Sequence, residues 1–143
     1  MKNIVKIFIL LLLSVLPASA QDSDKKAEQD TFDNIAKAIK SNQIGELSNY
    51  FADNVECDIS GQSNVYSKAQ AIQVVKDFFA QNKVKSFNIL HQSGKKQVKF
   101  IIGSYTAITG KTYRITCFIK QEESSFRIRQ IRIENDSKAV WLN

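Results

Sequence analysis

The sequence predicts an α+β domain in which N-terminal helices pack on a strongly curved, mainly antiparallel sheet, and three observations carry that prediction. Apolar residues recur every three or four positions between Phe32 and Phe79. Four runs of alternating apolar and polar residues then fill the second half of the chain. Polar or glycine-bearing breaks at hairpin-like intervals separate those runs.

Ahead of the domain, the chain opens MKNIVKIFILLLLSVLPASAQ. Lys2 and Lys6 precede a greasy run from Ile7 to Leu16, and Pro17 with Ala18-Ser19-Ala20 follows it, the layout of a secretory signal cleaved after Ala20. A membrane-spanning helix needs about 18–20 apolar residues. The run is too short for that, so the sequence predicts an exported, periplasmic or secreted protein without a transmembrane anchor. Residues 21–29, QDSDKKAEQ, lack apolar periodicity and read as a solvated leader.

The first helix is expected from Asp30 or Thr31, natural caps, because Phe32, Ile35, Ala36 and Ile39 share one face. Ser41-Asn42-Gln43 interrupts it, and Leu47, Tyr50 and Phe51 continue on a short second helix to about Asn54. Val55, Cys57 and Ile59 alternate with Glu56 and Asp58, a strand with one buried face. Ser60-Gly61-Gln62-Ser63 turns the chain and Val65-Tyr66 begins a short return. Ser67-Lys68-Ala69-Gln70 matches the capping box, in which the Ser hydroxyl accepts from the third helical amide and the Gln reaches back. Ile72, Val75, Phe78 and Phe79 form the stripe of the helix that follows. The four later strands run roughly Val84–His91, Gln97–Ile108, Lys111–Gln121 and Phe126–Glu134. One domain over residues 30–134 results, with a tail, 135–143, ending in Val140-Trp141-Leu142.

The stretches IAKAIKSNQIGELSNYFADNVECDI and VYSKAQAIQVVKDFF, with the strand IRQIRIE, resemble the cystatin-like superfamily that includes nuclear transport factor two and ketosteroid isomerase. More narrowly, the chain is similar to the exported bacterial family known as domain of unknown function 4783. The resemblance covers about residues 30–134 and implies a cone, helices inside a curved sheet, often around a pocket. It implies no particular activity. Enzymes of the wider superfamily work inside the cone with a carboxylate base and a proton donor facing the pocket.

Strand alternation then predicts which residues line that interior: Phe87, Ile89 and His91; Val98, Phe100, Ile102, Ser104, Thr106 and Ile108; Tyr113, Ile115, Cys117 and Ile119; Phe126, Ile128, Ile131 and Ile133. The last set stays on one face only if a bulge falls near Arg129-Gln130. No Asp or Glu occupies these positions, and Glu56 and Asp58 fall on the opposite face. Tyr66, His91 and Tyr113 are the candidate pocket residues, offering two hydroxyls and one imidazole. His91 has no carboxylate in register to fix its tautomer, so it reads as a rim residue. Gly103, inside a strand, reads as a sheet bend. Two separate thiols and one histidine make no metal-ligand set, and no cofactor motif is present. Export would permit a Cys57–Cys117 disulfide, but both cysteines alternate with aliphatic neighbours as buried free thiols do.

Charge is unevenly spread. Residues 21–82 carry six Lys or Arg against ten Asp or Glu, and residues 83–138 carry twelve against four. Lys99, Arg114, Lys120, Arg127, Arg129 and Arg132 are expected on the outer sheet face beside Tyr105 and Phe118, a candidate face for an anionic envelope component, glycan, phospholipid headgroup or acidic protein. Export removes nucleic acid as the usual target. The plainer alternative is a solvated face whose long cationic side chains keep an antiparallel sheet soluble. A monomer, or a homodimer packed through the sheet, is the remaining expectation, and the apolar area of that face is thin for a dimer. The sequence therefore predicts a non-catalytic binding or interaction module, with a small-molecule isomerase or hydrolase as the alternative.

Overall fold

A computed structural model of the chain describes residues 19–136. The predicted signal run up to Ala18 and the Val140-Trp141-Leu142 tail lie outside the described residues. Two compact units meet at Asp30. In the first, residues 19–30 are the opening turns of helix α1 (Ser19–Lys40), with solvent-exposed side chains from Gln21 to Ala27. The segment expected to be a leader is thus helical, and no cap occurs at Asp30 or Thr31. Lys, Glu, Gln and Ala favour helix without needing an apolar stripe, so periodicity alone misses an exposed helix.

In the second unit, residues 31–40 of α1 contribute Phe32, Ile35, Ala38 and Ile39 to the core. Helix α2 (Ile44–Ser48) follows, and helix α3 (Lys68–Gln81) comes after the first hairpin. Six strands form one sheet: β1 (Phe51–Ile59), β2 (Gln62–Ser67), β3 (Val84–Lys95), β4 (Val98–Ala107), β5 (Thr112–Glu122) and β6 (Ser125–Asn135), in the order β2-β1-β6-β5-β4-β3. All neighbours are antiparallel except β1 and β6. The Tyr50-Phe51 pair is not helical as expected. Phe51 opens β1 beside Ile128, because parallel pairing to β6 buries it completely.

Local chemistry explains the joints. Ser60 and Gly61 both hold positive φ, 54° and 83°, which is the twist a two-residue hairpin needs. The capping box forms: the Gln70 amide donates to Ser67 Oγ at 3.4 Å, and the Ser67 amide donates to Gln70 Oε1 at 3.3 Å. The expected bulge in β6 occurs at Arg129, since Phe118 pairs with Gln130 but Ile119 with Ile128. It keeps Phe126, Ile128, Ile131 and Ile133 on the buried face. Two further bulges, at Lys85 and Leu90 in β3, are not legible in the sequence.

Strand β4 sits one residue out of the expected frame. Ile101, Gly103, Tyr105 and Ala107 face the helices, while Phe100, Ile102, Ser104 and Thr106 face outward. The run Phe100-Ile101-Ile102 is apolar on both parities, so alternation cannot choose between them, and a one-residue slip exchanges every side chain.

Both cysteines are buried free thiols. Cys57 and Cys117 lie in one row of the sheet, each paired with Ile131 of the intervening β6. Two strand spacings separate them, about 10 Å, beyond the roughly 7 Å that a disulfide spans. Burial pushes the Cys57 thiol up to about 11, with the neighbouring Glu56 charge adding to it, and burial pushes Cys117 up to about 12. The folded chain therefore keeps thiol protons that the unfolded chain releases above about pH 9. Stability contributed by these groups is complete below pH 9 and is lost as pH rises toward 11–12. Urea midpoints should fall between pH 9 and 10, and a Cys57→Ala/Cys117→Ala variant should show a shallower fall. Equal slopes for the two proteins would remove the thiols from the account.

Candidate functional site

The helix-facing side of the sheet is filled by the protein's own side chains. Phe78 and Phe79 of α3 project onto β4 and β5, with Phe79 5.4 Å from the Tyr105 ring and Phe78 edge-on to Tyr113 at 5.1 Å. Asn82, the residue that ends α3, ties this cluster together. Its side-chain amide donates to the Phe78 carbonyl at 3.0 Å, its Oδ1 accepts from the Tyr113 hydroxyl at 2.7 Å, and its backbone carbonyl accepts from Tyr105. Burial, with Tyr113 beside it, pushes the Tyr105 phenol up to about 12. Gly103 completes the packing, because the Phe87 ring lies across it where a Cβ would stand. The position expected to mark a sheet bend is a slot for that ring.

The three candidate pocket residues do not come together. Tyr113 is buried and spent on Asn82. Tyr66 lies half-buried on edge strand β2 beside Val55. His91 is on the outer face, because the Leu90 bulge reverses the alternation and sets His91 opposite Ile102. There its ring rests 5.7 Å from Phe100, which lies 6.4 Å from Phe118. Glu56 and Asp58 keep their expected outward face: Glu56 accepts from Ser63 at 2.7 Å, and Asp58 accepts from Arg132 Nε at 3.1 Å. Two open grooves flank the helices, about 270 Å³ between Lys37, Glu46 and Tyr50, and about 340 Å³ between Ile44, Ile72 and Ala80.

Of the six residues expected on a basic outer face, five are there. Arg132 pairs with Asp58, Arg129 with Glu122, and Arg114 with Asp136 at 3.7 Å. Arg127 donates to the Asn49 carbonyl at 2.7 Å. Lys120 is exposed without an ion-pair partner among the described residues. Lys99 shares the inward frame of β4 and lies over Gly94, a consequence of the same one-residue slip that turned Tyr105 inward.

Pairing thus neutralises the middle of the face and leaves uncompensated charge at one end. Across four strands, Lys95, Val98, Lys120 and Arg127 stand side by side. Lys96, held at φ 54° in the β3–β4 turn, is exposed beside them. Val98 is 55% exposed and Leu90 59%. Sequence reasoning missed Lys95 and Lys96 because it ended β3 at His91, whereas the strand runs on to Lys95 and brings both lysines to the end of the outer face. The signal was present in the consecutive lysines bracketed by Gly94 and Val98.

Residues 32–134 match the domain of unknown function DUF4783. The chain belongs to the DUF4783 family. A DUF4783 family protein from Bacteroides ovatus is 33% identical, with a TM-score of 0.69 over 71% of this chain and 92% of that one. A second, from Bacteroides uniformis, is 30% identical, with a TM-score of 0.70 over 73% and 96%. At 9% identity, an NTF-2 like protein of unknown function from Burkholderia xenovorans matches with a TM-score of 0.63 over 84% and 96%, which places this DUF4783 chain in the NTF2-like fold. No curated protein matches it. Among the described residues, no helix of this DUF4783 member is long and apolar enough to cross a membrane.

Proposed function

We propose that the protein is an exported, non-catalytic interaction module that holds an anionic envelope component against the outer face of its sheet. One observation carries this reading: the helix-facing side is filled by Phe78, Phe79, Tyr105 and Tyr113 around Asn82, while lysines without an ion-pair partner among the described residues stand outside with the exposed Val98. Proton-transfer catalysis of the kind the fold hosts elsewhere needs a carboxylate within reach of a bound substrate. Here the carboxylates nearest in sequence to a buried strand face, Glu56 and Asp58, turn to the other side and bond to Ser63 and Arg132. The N-terminal sequence, with its charged start, short greasy run and small-residue triplet, supports export.

Retention on an immobilised sulfated polysaccharide tests the reading. The protein should bind at low salt and lose roughly tenfold in affinity on raising salt from 50 to 200 mM, since exposed charges are screened. Lys120→Glu should elute earlier. Passage through the column at 50 mM salt would overturn the anionic-partner reading.

A further inference from the structure

The cationic end of the outer face has a shape that narrows its partner. Lys95, Lys120 and Arg127 span the strands in one row, about 14 Å from β3 to β6 at ordinary strand spacing. Lys96 lies just past the end of that row, at the hairpin tip. Val98 projects from the middle of the row and Leu90, the extra residue of the bulge, stands exposed on the same hairpin. Glu122 and Glu123 occupy the neighbouring β5–β6 turn, but Glu122 is engaged by Arg129, so the end keeps a positive excess. The row lies across open strands, and the two grooves beside the helices are lined by helical and loop residues elsewhere.

From this arrangement we infer that the β3–β4 hairpin end docks on an anionic lipid bilayer. The inference rests on the anionic-partner reading above and names the partner. A row of cations across neighbouring strands suits an extended charged surface, where each Lys or Arg contributes roughly a fivefold gain in partition. Val98, exposed between Lys95 and Lys120, suits shallow burial at the headgroup boundary, with the lysine stems reaching around it. A sugar chain would want a flat aromatic platform instead. The rings here are mutually tilted, His91 to Phe100 by 41° and Phe100 to Phe118 by 45°, so they form no common flat platform.

The test is co-sedimentation of the full chain with vesicles of phosphatidylcholine alone and of phosphatidylcholine mixed equally with phosphatidylglycerol. The protein should partition at least about tenfold more strongly onto the anionic vesicles, and 0.5 M salt should remove that excess. Lys95→Glu/Lys96→Glu/Lys120→Glu should lower the partition by about fivefold or more for each residue reversed, with thermal stability unchanged. Val98→Ser should lower it several-fold while keeping its salt dependence. The greasy N-terminal run, where retained, is common to all these proteins, so the differences among them report the hairpin end. Anionic-vesicle binding that the triple reversal leaves intact would overturn the assignment of this surface. Retention on the sulfated polysaccharide without any preference for anionic vesicles would overturn the lipid inference and leave the anionic-partner reading standing. Failure of both assays would overturn both.

Discussion

Phe79→Ala lowers the stability of the domain by about 3–5 kcal/mol, which for a chain of this size moves Tm down by roughly 10–20 °C. Phe79 is 1% exposed, edge-on to Phe78 at 5.5 Å and tilted on Tyr105 at 5.4 Å. Tyr105, one of its ring neighbours, is pinned by its bond to the Asn82 carbonyl. The void should therefore persist as a dry apolar cavity that admits a benzene-sized molecule. Saturating benzene should recover part of the lost Tm in the variant and leave the native protein unmoved. A native protein that benzene stabilises would mean the interior already holds an apolar cavity, contrary to the packing described here.

Gly103→Ala has the second large effect, by overpacking rather than by loss. The new methyl would occupy space held by the Phe87 ring, and Phe87 is 4% exposed beneath β3 with nowhere to swing without displacing the core. The cost should be about 1–3 kcal/mol. Phe87→Leu is itself destabilising, but in that background the alanine should cost less, because the two side chains compete for one volume. A double-mutant cycle over denaturant midpoints measures this coupling. Additive effects would show that Gly103 is retained for its backbone freedom and not as a slot for the ring.

The order of elements was legible because each carried its own local signal: the helical stripe of Val75, Phe78 and Phe79, the Ser67–Gln70 box, the Ser60-Gly61 turn, and the alternation of Tyr113 through Ile119. What failed on the sheet depends on register and on distant partners, which alternation does not report. Alternation reports a face only where one parity is polar, and Phe100-Ile101-Ile102 has no polar parity, so β4 was read in the wrong frame and carried Lys99 and Tyr105 with it. A single inserted residue at Leu90 likewise moved His91 from the interior to the outer face. Residue 51 was placed in a helix because Leu47, Tyr50 and Phe51 fit helical spacing, while the partner that makes it a strand, Ile128, lies 77 positions away. The site was blurred for the same reason. The bonds that neutralise Arg132 and Arg114 join residues 74 and 22 positions apart, which only the register reveals. Once those pairs are removed from the basic face, the lysines at the hairpin end stand out.

These corrections move the proposed site without changing the kind of protein. The carboxylates Glu56 and Asp58 of β1 keep the outward face that alternation implied, and Tyr113, one of the two tyrosines expected to offer a hydroxyl to a ligand, is instead held by Asn82.

Amide chemical-shift mapping during titration with a soluble sulfated oligosaccharide tests most directly whether the molecule works from its outer face. Perturbations should concentrate on Lys95 to Val98, Lys120 and Arg127, with Asn82, Tyr105 and Tyr113 unmoved. Perturbations centred instead on Asn82, Tyr105 and Tyr113 would place the ligand inside the cone and contradict the account.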